Sequence, residues 1–530
     1  MSDSLTGTLA LVRLGLRRDR WLLPLWIVAF ALMAYTTAAA STDLFPSEQS
    51  RIEAATTLNG TASMVALFGR IYDPSSLGAL AMIKYSAFMT AGLAVLMVFI
   101  TIRHTRQDEE TGRLELLSSG RLGRNAPLAS ALLISFGASL ILGLLTAAAL
   151  AAGGLPAAGS LAFGLGWAAT GIAFSAVAAV TAQLSSSSRS AIGMGVIVIA
   201  VTYAMRAIGD LAEPGPSALS WLSPIGWNQQ VRAYAGDRWA VLLLPLALAV
   251  VLVPVAVVLR AHRDLGTGLR QDRPGRARGN LAGVWGLAVR LQDRVFIAWA
   301  AAVVVFGVVV GSLADSVNDF LTSPNAQEWI QQLGGAQVLA DAFLAAEIAI
   351  MGILIAVYGV AAANHLRSEE TSGHTEVLLG TATTRIKWAT SHFGVALIGV
   401  AILMLLSGLS IGVGAAYALH DPSAVGRATI ASLAQIPASW VVASVVMLLF
   451  GWVPRLTYAA WGALVVFIAL GEFGPLWNAP QWLMDLSPFQ HSPLLPVGTD
   501  GLTPVVWLTV VALVTAVVGY WGWTRRDLAD

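Results

Sequence analysis

An all-α polytopic membrane protein of twelve transmembrane helices, built as two parallel six-helix repeats, is the fold class that three observations predict. The 530 residues are 56% hydrophobic and only 12% charged, whereas a soluble domain is nearer a quarter charged. Apolar runs recur at lengths close to the roughly 20 residues that a helix needs to cross a bilayer. A charged motif after the second run recurs after the eighth.

The runs lie at about 21–40, 84–102, 127–152, 159–183, 191–208, 239–259, 295–313, 343–363, 391–418, 428–450, 457–472 and 504–523. They are too long and too continuous for the alternating strands of a barrel. The 51 glycines suit close helix packing in lipid. Cysteine is absent, which excludes disulfides, thiolate metal sites and a cysteine nucleophile.

Orientation follows from basic residues. With the N-terminus in the cytoplasm, every one of the 31 Lys and Arg falls inside except Arg51, Arg70, Lys84, Arg206, Arg232, Arg238 and Arg427. Both termini are therefore expected in the cytoplasm of a multi-pass cell-membrane protein. The first run is too long for a signal peptide, and eleven more follow it.

Before the first run, Leu5, Leu9, Val12 and Leu16 share a helical face, flanked by Arg13, Arg17 and Arg20. Before the seventh, Leu281, Val284, Leu287 and Leu291 do the same. Both stretches predict an elbow helix lying in the membrane interface. The expected domains are a first half over 1–260, a polar linker over 261–280 and a second half over 281–530.

The repeated motif reads Arg106-Gln-Asp108-Glu109-Glu110-Thr-Gly112-Arg113-Leu-Glu115-Leu-Leu117, then Arg367-Ser-Glu369-Glu370-Thr-Ser-Gly373-His374-Thr-Glu376-Val-Leu378. Arg124 and Arg385 follow at the same shift. Within a helix Arg106 would pair with Glu109 or Glu110, and Glu109 with Arg113. Gly112 and Gly373 would break the helix, and a second short helix would follow. Leu222-Ser-Pro224 and Leu486-Ser-Pro488 repeat in outer loops.

Several chemistries lose support. A phosphate-binding loop needs Gly-x-x-x-x-Gly-Lys-Ser/Thr, and the only lysines, Lys84 and Lys387, precede Tyr85 and Trp388. Gly408-Leu-Ser410-Ile-Gly412 matches the nucleophile-elbow pattern, but such an elbow requires a strand-to-helix turn and this stretch lies in a span. No His-Glu-x-x-His metal motif occurs among the seven histidines. A proton-coupled carrier would need titratable groups within the membrane, for which Glu347, Arg206 and Lys84 are the few candidates.

The motif, its position after the second span and the preceding elbow helix resemble the permeases of ABC-2 (type V) exporters, here as two fused units covering the whole chain. The fused length and the Leu-Ser-Pro-Ile-Gly-Trp stretch at 222–227 resemble actinobacterial polyketide-antibiotic exporter permeases. The resemblance implies a permease subunit that is not itself catalytic and moves hydrophobic drugs, antibiotics or lipid. Two copies of a separately encoded ATP-binding subunit, holding ATP and Mg, would power it. Arg106, Asp108, Glu109, Gly112, Glu115 and Arg124 would couple one copy. Arg367, Glu369, Glu370, Gly373, Glu376 and Arg385 would couple the other. Loops 103–126 and 364–388 would be the coupling loops. A cavity between the halves would be lined by Tyr85, Phe88, Met89, Met194, Tyr203 and Met205, faced by Phe343, Glu347, Met351, Tyr358 and Trp461. No cofactor or metal is implied in this chain, and no nucleic acid among its partners.

Overall fold

The computed structural model describes residues 3–60, 62–118, 122–212, 216–263, 268, 283–314, 336–473, 480–496 and 503–528. Among these there is no strand, and twelve helices are long and apolar enough to span a membrane. Spans 1 to 6 are Leu22–Leu44, Tyr85–Glu110, Ala126–Ala152, Ala157–Leu184, Ser188–Leu211 and Trp239–Ala261. Spans 7 to 12 are Gly283–Ser312, Asp341–Thr371, Arg385–Leu419, Ser423–Trp452, Pro454–Gly471 and Thr503–Arg525. Each of the twelve expected runs falls on one of these helices. Polar ends lengthen several of them, as at Arg385, where the Thr384 hydroxyl caps the helix by accepting from the Lys387 backbone N–H.

The chain divides into two compact units, Met1–Gly275 and Arg276–Asp530. Most of the expected linker lies outside the described residues. In the first unit the elbow is a separate helix, Thr8–Arg18. Leu5, Leu9 and Leu16 face outward, while Val12 packs against the core of span 1. This is the arrangement of an interfacial helix. The second elbow departs from expectation. From Gly283 to Ser312 the backbone is one unbroken helix, so Asp293-Arg294 lies within it rather than at a bend. Val284, Ala288 and Gln292 are buried at four-residue spacing, which turns that face toward the unit and Trp285 and Val289 outward. Leu281 lies outside the described residues.

Glycines bring helices together where a side chain would separate them. A Cβ on Gly143 of span 3 would strike the carbonyl oxygen of Gly164 in span 4, and the converse also holds. A Cβ on Gly408 or Gly412 would lie 2.6 Å from the Cα of Thr429 or Val425 in span 10. The Gly-Leu-Ser-Ile-Gly stretch is thus a packing stripe, and Ser410 donates to the Ser407 carbonyl of its own helix (3.0 Å).

The segment between spans 1 and 2 carries helices Glu48–Gly60 and Ala62–Phe68. Arg206, near the end of span 5, clips it down by donating to the carbonyls of Val65, Ala66 and Leu67 and pairing with Asp210. Arg206 is therefore structural, not a free intramembrane charge. The repeated Leu-Ser-Pro elements share one role. Ser223 donates to the Thr202 carbonyl of span 5 (2.6 Å), and Ser487 donates to the Phe467 carbonyl of span 11 (2.7 Å).

Candidate coupling site

Both charged motifs fold as two short helices separated by a glycine. The first pair is Arg106–Glu110 and Arg113–Ser118, the second His365–Thr371 and His374–Leu379. Gly112 and Gly373 sit at φ of 70° and 74°, a left-handed conformation that glycine adopts without steric cost. No neighbour would obstruct a Cβ at either position. Backbone conformation alone demands glycine there.

The inner helix of each motif is locked into its unit. In the first, Arg106 is buried and donates twice to the Ala182 carbonyl at the end of span 4 (2.9 and 2.6 Å). It also donates to Glu109 (2.9 Å). Glu109 in turn receives both terminal nitrogens of Arg263, which follows span 6 (2.8 and 2.7 Å), and Arg260 stands 3.6 Å away. In the second, Arg367 donates to Glu370 (2.8 Å), and Arg526, following span 12, reaches both Glu370 oxygens (2.7 and 3.0 Å). Arg526 also donates to the Phe450 carbonyl near the end of span 10 (3.1 Å). The same lock is thus built twice from an arginine and a glutamate of the motif and an arginine after the sixth span of that unit.

The trailing arginines repeat too. Arg124 donates to the carbonyls of Arg260 and Ala261 (3.3 and 2.8 Å), Arg385 to those of Trp523 and Arg526 (3.4 and 2.5 Å). Each cation satisfies orphan carbonyls at the end of its unit's last helix and complements the dipole there.

Across each glycine runs a third repeated contact. Asp108 meets Arg113 (3.6 Å), and Glu369 meets His374 (3.2 Å). The expected pairing of Glu109 with Arg113 is absent. The left-handed turn at Gly112 takes Arg113 off the helix, and Glu109 is consumed by Arg106 and Arg263. Arg106, Glu109, Arg367, Glu369 and Glu370 are therefore internal braces rather than surface contacts. The surface is made by the outer helices, where Glu115 and Glu376 are exposed beside Leu116 (78% exposed) and Val377 (73%).

The two sites differ around this shared frame. Glu110 accepts from the backbone N–H of Ser188 (2.9 Å) and from its hydroxyl. It thereby caps the start of span 5, where a negative charge is favourable. Thr371, at the matching position, bonds among the described residues to its own helix, at Arg367 and Ser368. The first unit also joins its elbow to the motif. Arg18 donates to Asp108 (2.7 Å), and Asp19, fully buried, is held by Arg103 (3.0 Å) and His104 (2.6 Å). A groove of about 380 Å³ runs between this elbow and the motif, with Arg17, Arg18, Asp108 and Arg113 along it.

Burial raises the Asp19 pKa. The hydrogen bond and charge of His104, with the charges of Arg103 and Arg18, outweigh it and hold the carboxyl below the ordinary aspartate range. A depressed carboxylate contributes stability above its unfolded pKa of about 3.9, and that stability is lost as pH falls through the folded value. Asp19→Asn is accordingly expected to lower the thermal midpoint by several degrees at pH 7. Melting curves of both proteins from pH 7 to pH 3 should converge at the acid end.

The residues expected to line a cavity differ in burial within their own units. Tyr85 is buried, bonded to the Thr37 hydroxyl (2.7 Å) and the Met33 carbonyl (3.1 Å) within its own unit. Met351 and Tyr358 are core side chains of the second unit. Met89 and Phe343 pack against their unit cores, and Tyr203 donates to the Leu67 carbonyl. Met194, Met205 and Glu347 are half-buried, and Phe88 and Trp461 are exposed. Sequence reasoning missed Arg263 and Arg526. Their signal was available, since each follows the end of the sixth span of its half within two residues.

Residues 281–524 match the family model of the multidrug efflux system permease Rv1217c, C-terminal domain. The whole chain is similar to the multidrug efflux system permease protein Rv1217c of Mycobacterium tuberculosis. The two are 41% identical over 532 aligned residues, which cover 99% of this chain and 95% of the relative.

Proposed function

From the premise that this chain belongs to the multidrug efflux permease family of Rv1217c, we propose that it is the membrane subunit of an ABC exporter. It expels hydrophobic drugs or polyketide-like antibiotics. A separately encoded ATP-binding subunit, present in two copies, docks on the outer helices of the two motifs and brings the ATP and Mg that this chain has no motif to bind. Both termini and both motifs face the cytoplasm, as the distribution of arginine supports.

The observation that carries this reading is the twice-built lock behind an exposed tip. A push on Leu116 or Glu115 is delivered through Arg106 and Glu109 to the ends of spans 4 and 6 at once. A push on Val377 or Glu376 is delivered through Arg367, Glu370 and Arg526 to spans 10 and 12. Charged side chains joined by short hydrogen bonds transmit displacement with little slack, as power delivered from outside the membrane requires.

The test separates docking from folding. Leu116→Asp with Val377→Asp is expected to weaken capture of the ATP-binding subunit at least about tenfold, since each substitution places an unpaired charge in the buried contact. The melting temperature of the permease should stay unchanged, because both side chains project into solvent. Wild-type capture by the doubly substituted chain would overturn the assignment of the tips as docks.

A further inference from the structure

The groove between the elbow and the motif of the first unit is not used by the lock behind that motif. Leu11, Leu14, Gly15 and Arg18 recur at spacings of three and four along the elbow, so one helical face turns them together toward the groove. The outer helix of the motif forms the opposite side, and the start of span 3 at Pro127 closes the third. At about 380 Å³ it lies within the range of small-molecule sites.

Three arginines and one aspartate line it. Asp108 is already neutralised by Arg18 at 2.7 Å. Arg18 spends its other terminal nitrogen on the Arg103 carbonyl (3.2 Å) and on His104 (3.1 Å). Two guanidiniums are left over. Arg17 is exposed and makes no ion pair among the described residues. The Arg113 side chain is 59% exposed and stands 3.6 Å from Asp108, an acid that Arg18 holds more closely. Both cations reach solvent along the groove and keep N–H donors to offer.

Beside them lie apolar side chains that are equally accessible, Leu14 at 50% and Leu117 at 38%. A free phosphate ester would satisfy the arginines and leave the leucines in water. A molecule with an anionic head and an apolar body satisfies both. An elbow lying in the membrane interface stands at the level where phospholipids present that combination.

The second unit does not repeat this lining. In the register that places Asp19-Arg20 on Asp293-Arg294, Arg17 and Arg18 become Leu291 and Gln292. Arg113 becomes His374, and the second elbow runs unbroken into span 7. The basic groove is therefore a property of the first unit and not a by-product of the repeated fold.

We propose that this groove binds an anionic phospholipid, its phosphate between Arg17 of the elbow and Arg113 of the motif and the start of its acyl chains along Leu14 and Leu117. The binding does not depend on what the permease exports. Its consequence for coupling rests on the docking reading above: a phosphate shared by the two arginines ties the elbow to the outer helix on which the ATP-binding subunit docks.

Phosphatidylglycerol with a fluorophore at the end of one acyl chain tests it, titrated at about 0.15 M salt onto the purified full-length chain in neutral detergent. Saturable binding is expected, at least about fivefold tighter than that of zwitterionic phosphatidylcholine with the same label. Arg17→Gln and Arg113→Gln should each weaken it about fivefold, the worth of one arginine beside an anionic lipid. Arg17 is exposed and unpaired, so its replacement leaves the fold intact. Arg20→Gln removes an equal charge just beyond the elbow and outside the groove, and should cost less than about twofold at this salt. Equal losses at Arg17 and Arg20 would reduce the effect to diffuse charge and overturn the site. Glycerophosphoglycerol, the same headgroup without chains, should not compete; displacement at lipid-like concentrations would overturn the lipid in favour of a soluble phosphate ester. Loss of ATP-binding subunit capture in Arg17→Gln with lipid binding unchanged would assign the groove to that protein instead. Saturable lipid binding by a wild-type chain that captures no such subunit upholds the site and counts against the exporter reading alone.

Discussion

Glu370→Ala is expected to cost the second unit about 3–5 kcal/mol, the usual penalty for removing one partner of a buried ion pair. Arg367 and Arg526 would remain where Glu370 now receives them at 2.7–3.0 Å. Neither has another carboxylate to turn to in the lock described above. Glu109→Ala should be as damaging, because it strands Arg106, Arg260 and Arg263 together. Thermal unfolding monitored by size-exclusion fluorescence reads this directly. A second substitution separates charge from shape. Adding Arg526→Met to Glu370→Ala should recover part of the loss, since an apolar replacement of a whole buried pair is often tolerated. Both glutamates sit in the motif most suited to coupling, so loss of ATPase stimulation in either alanine variant would report unfolding before it reported uncoupling. Glu115→Ala and Glu376→Ala, on the exposed helices, are the substitutions that isolate docking.

The second large effect is expected at Gly519. Spans 10 and 12 cross so closely that a Cβ there would lie 2.6 Å from the carbonyl carbon and oxygen of Met447 and 2.8 Å from the Leu448 nitrogen. Backbone atoms cannot swing aside as a side chain can. Gly519→Leu must therefore separate the helices, at a cost of at least about 1–3 kcal/mol. It would also draw Trp523, a turn further along the same helix, and Arg526, just past its end, away from Phe450 and Glu370. Gly462 of span 11 has open space around it, so Gly462→Leu should leave the melting temperature within about a degree. Equal melting of the two variants would refute the close crossing as a source of stability.

The spans were legible because length and apolarity are local properties. The break at each motif was legible because a glycine retained in both copies marks a left-handed turn. The pairing of Arg106 with Glu109 followed from helical spacing. Its burial did not, since Ala182 of span 4 and Arg263 beyond span 6, which bury it, are distant in sequence. Tyr358 shows the same limit. Its residue type placed it among candidate cavity residues, but Phe296, Trp299 and Gly399, which settle where it faces, come from two further helices. The unbroken helix from Gly283 was hidden for another reason. Asp293-Arg294 copies the pair at Asp19-Arg20, yet the bend in the first unit goes with partners such as His104 and Arg103, and nothing described around Asp293 provides them.

The difference between Glu110 and Thr371 has a genetic consequence. Had each half been a separate chain assembling as a homodimer, a single codon would set both positions, and symmetry would impose one compromise on both. Fusion removes that constraint. Selection acts on the two copies independently, so one motif can keep its anchor on a span while the other drifts free of it. A protein of this kind can evolve unequal halves without a second gene.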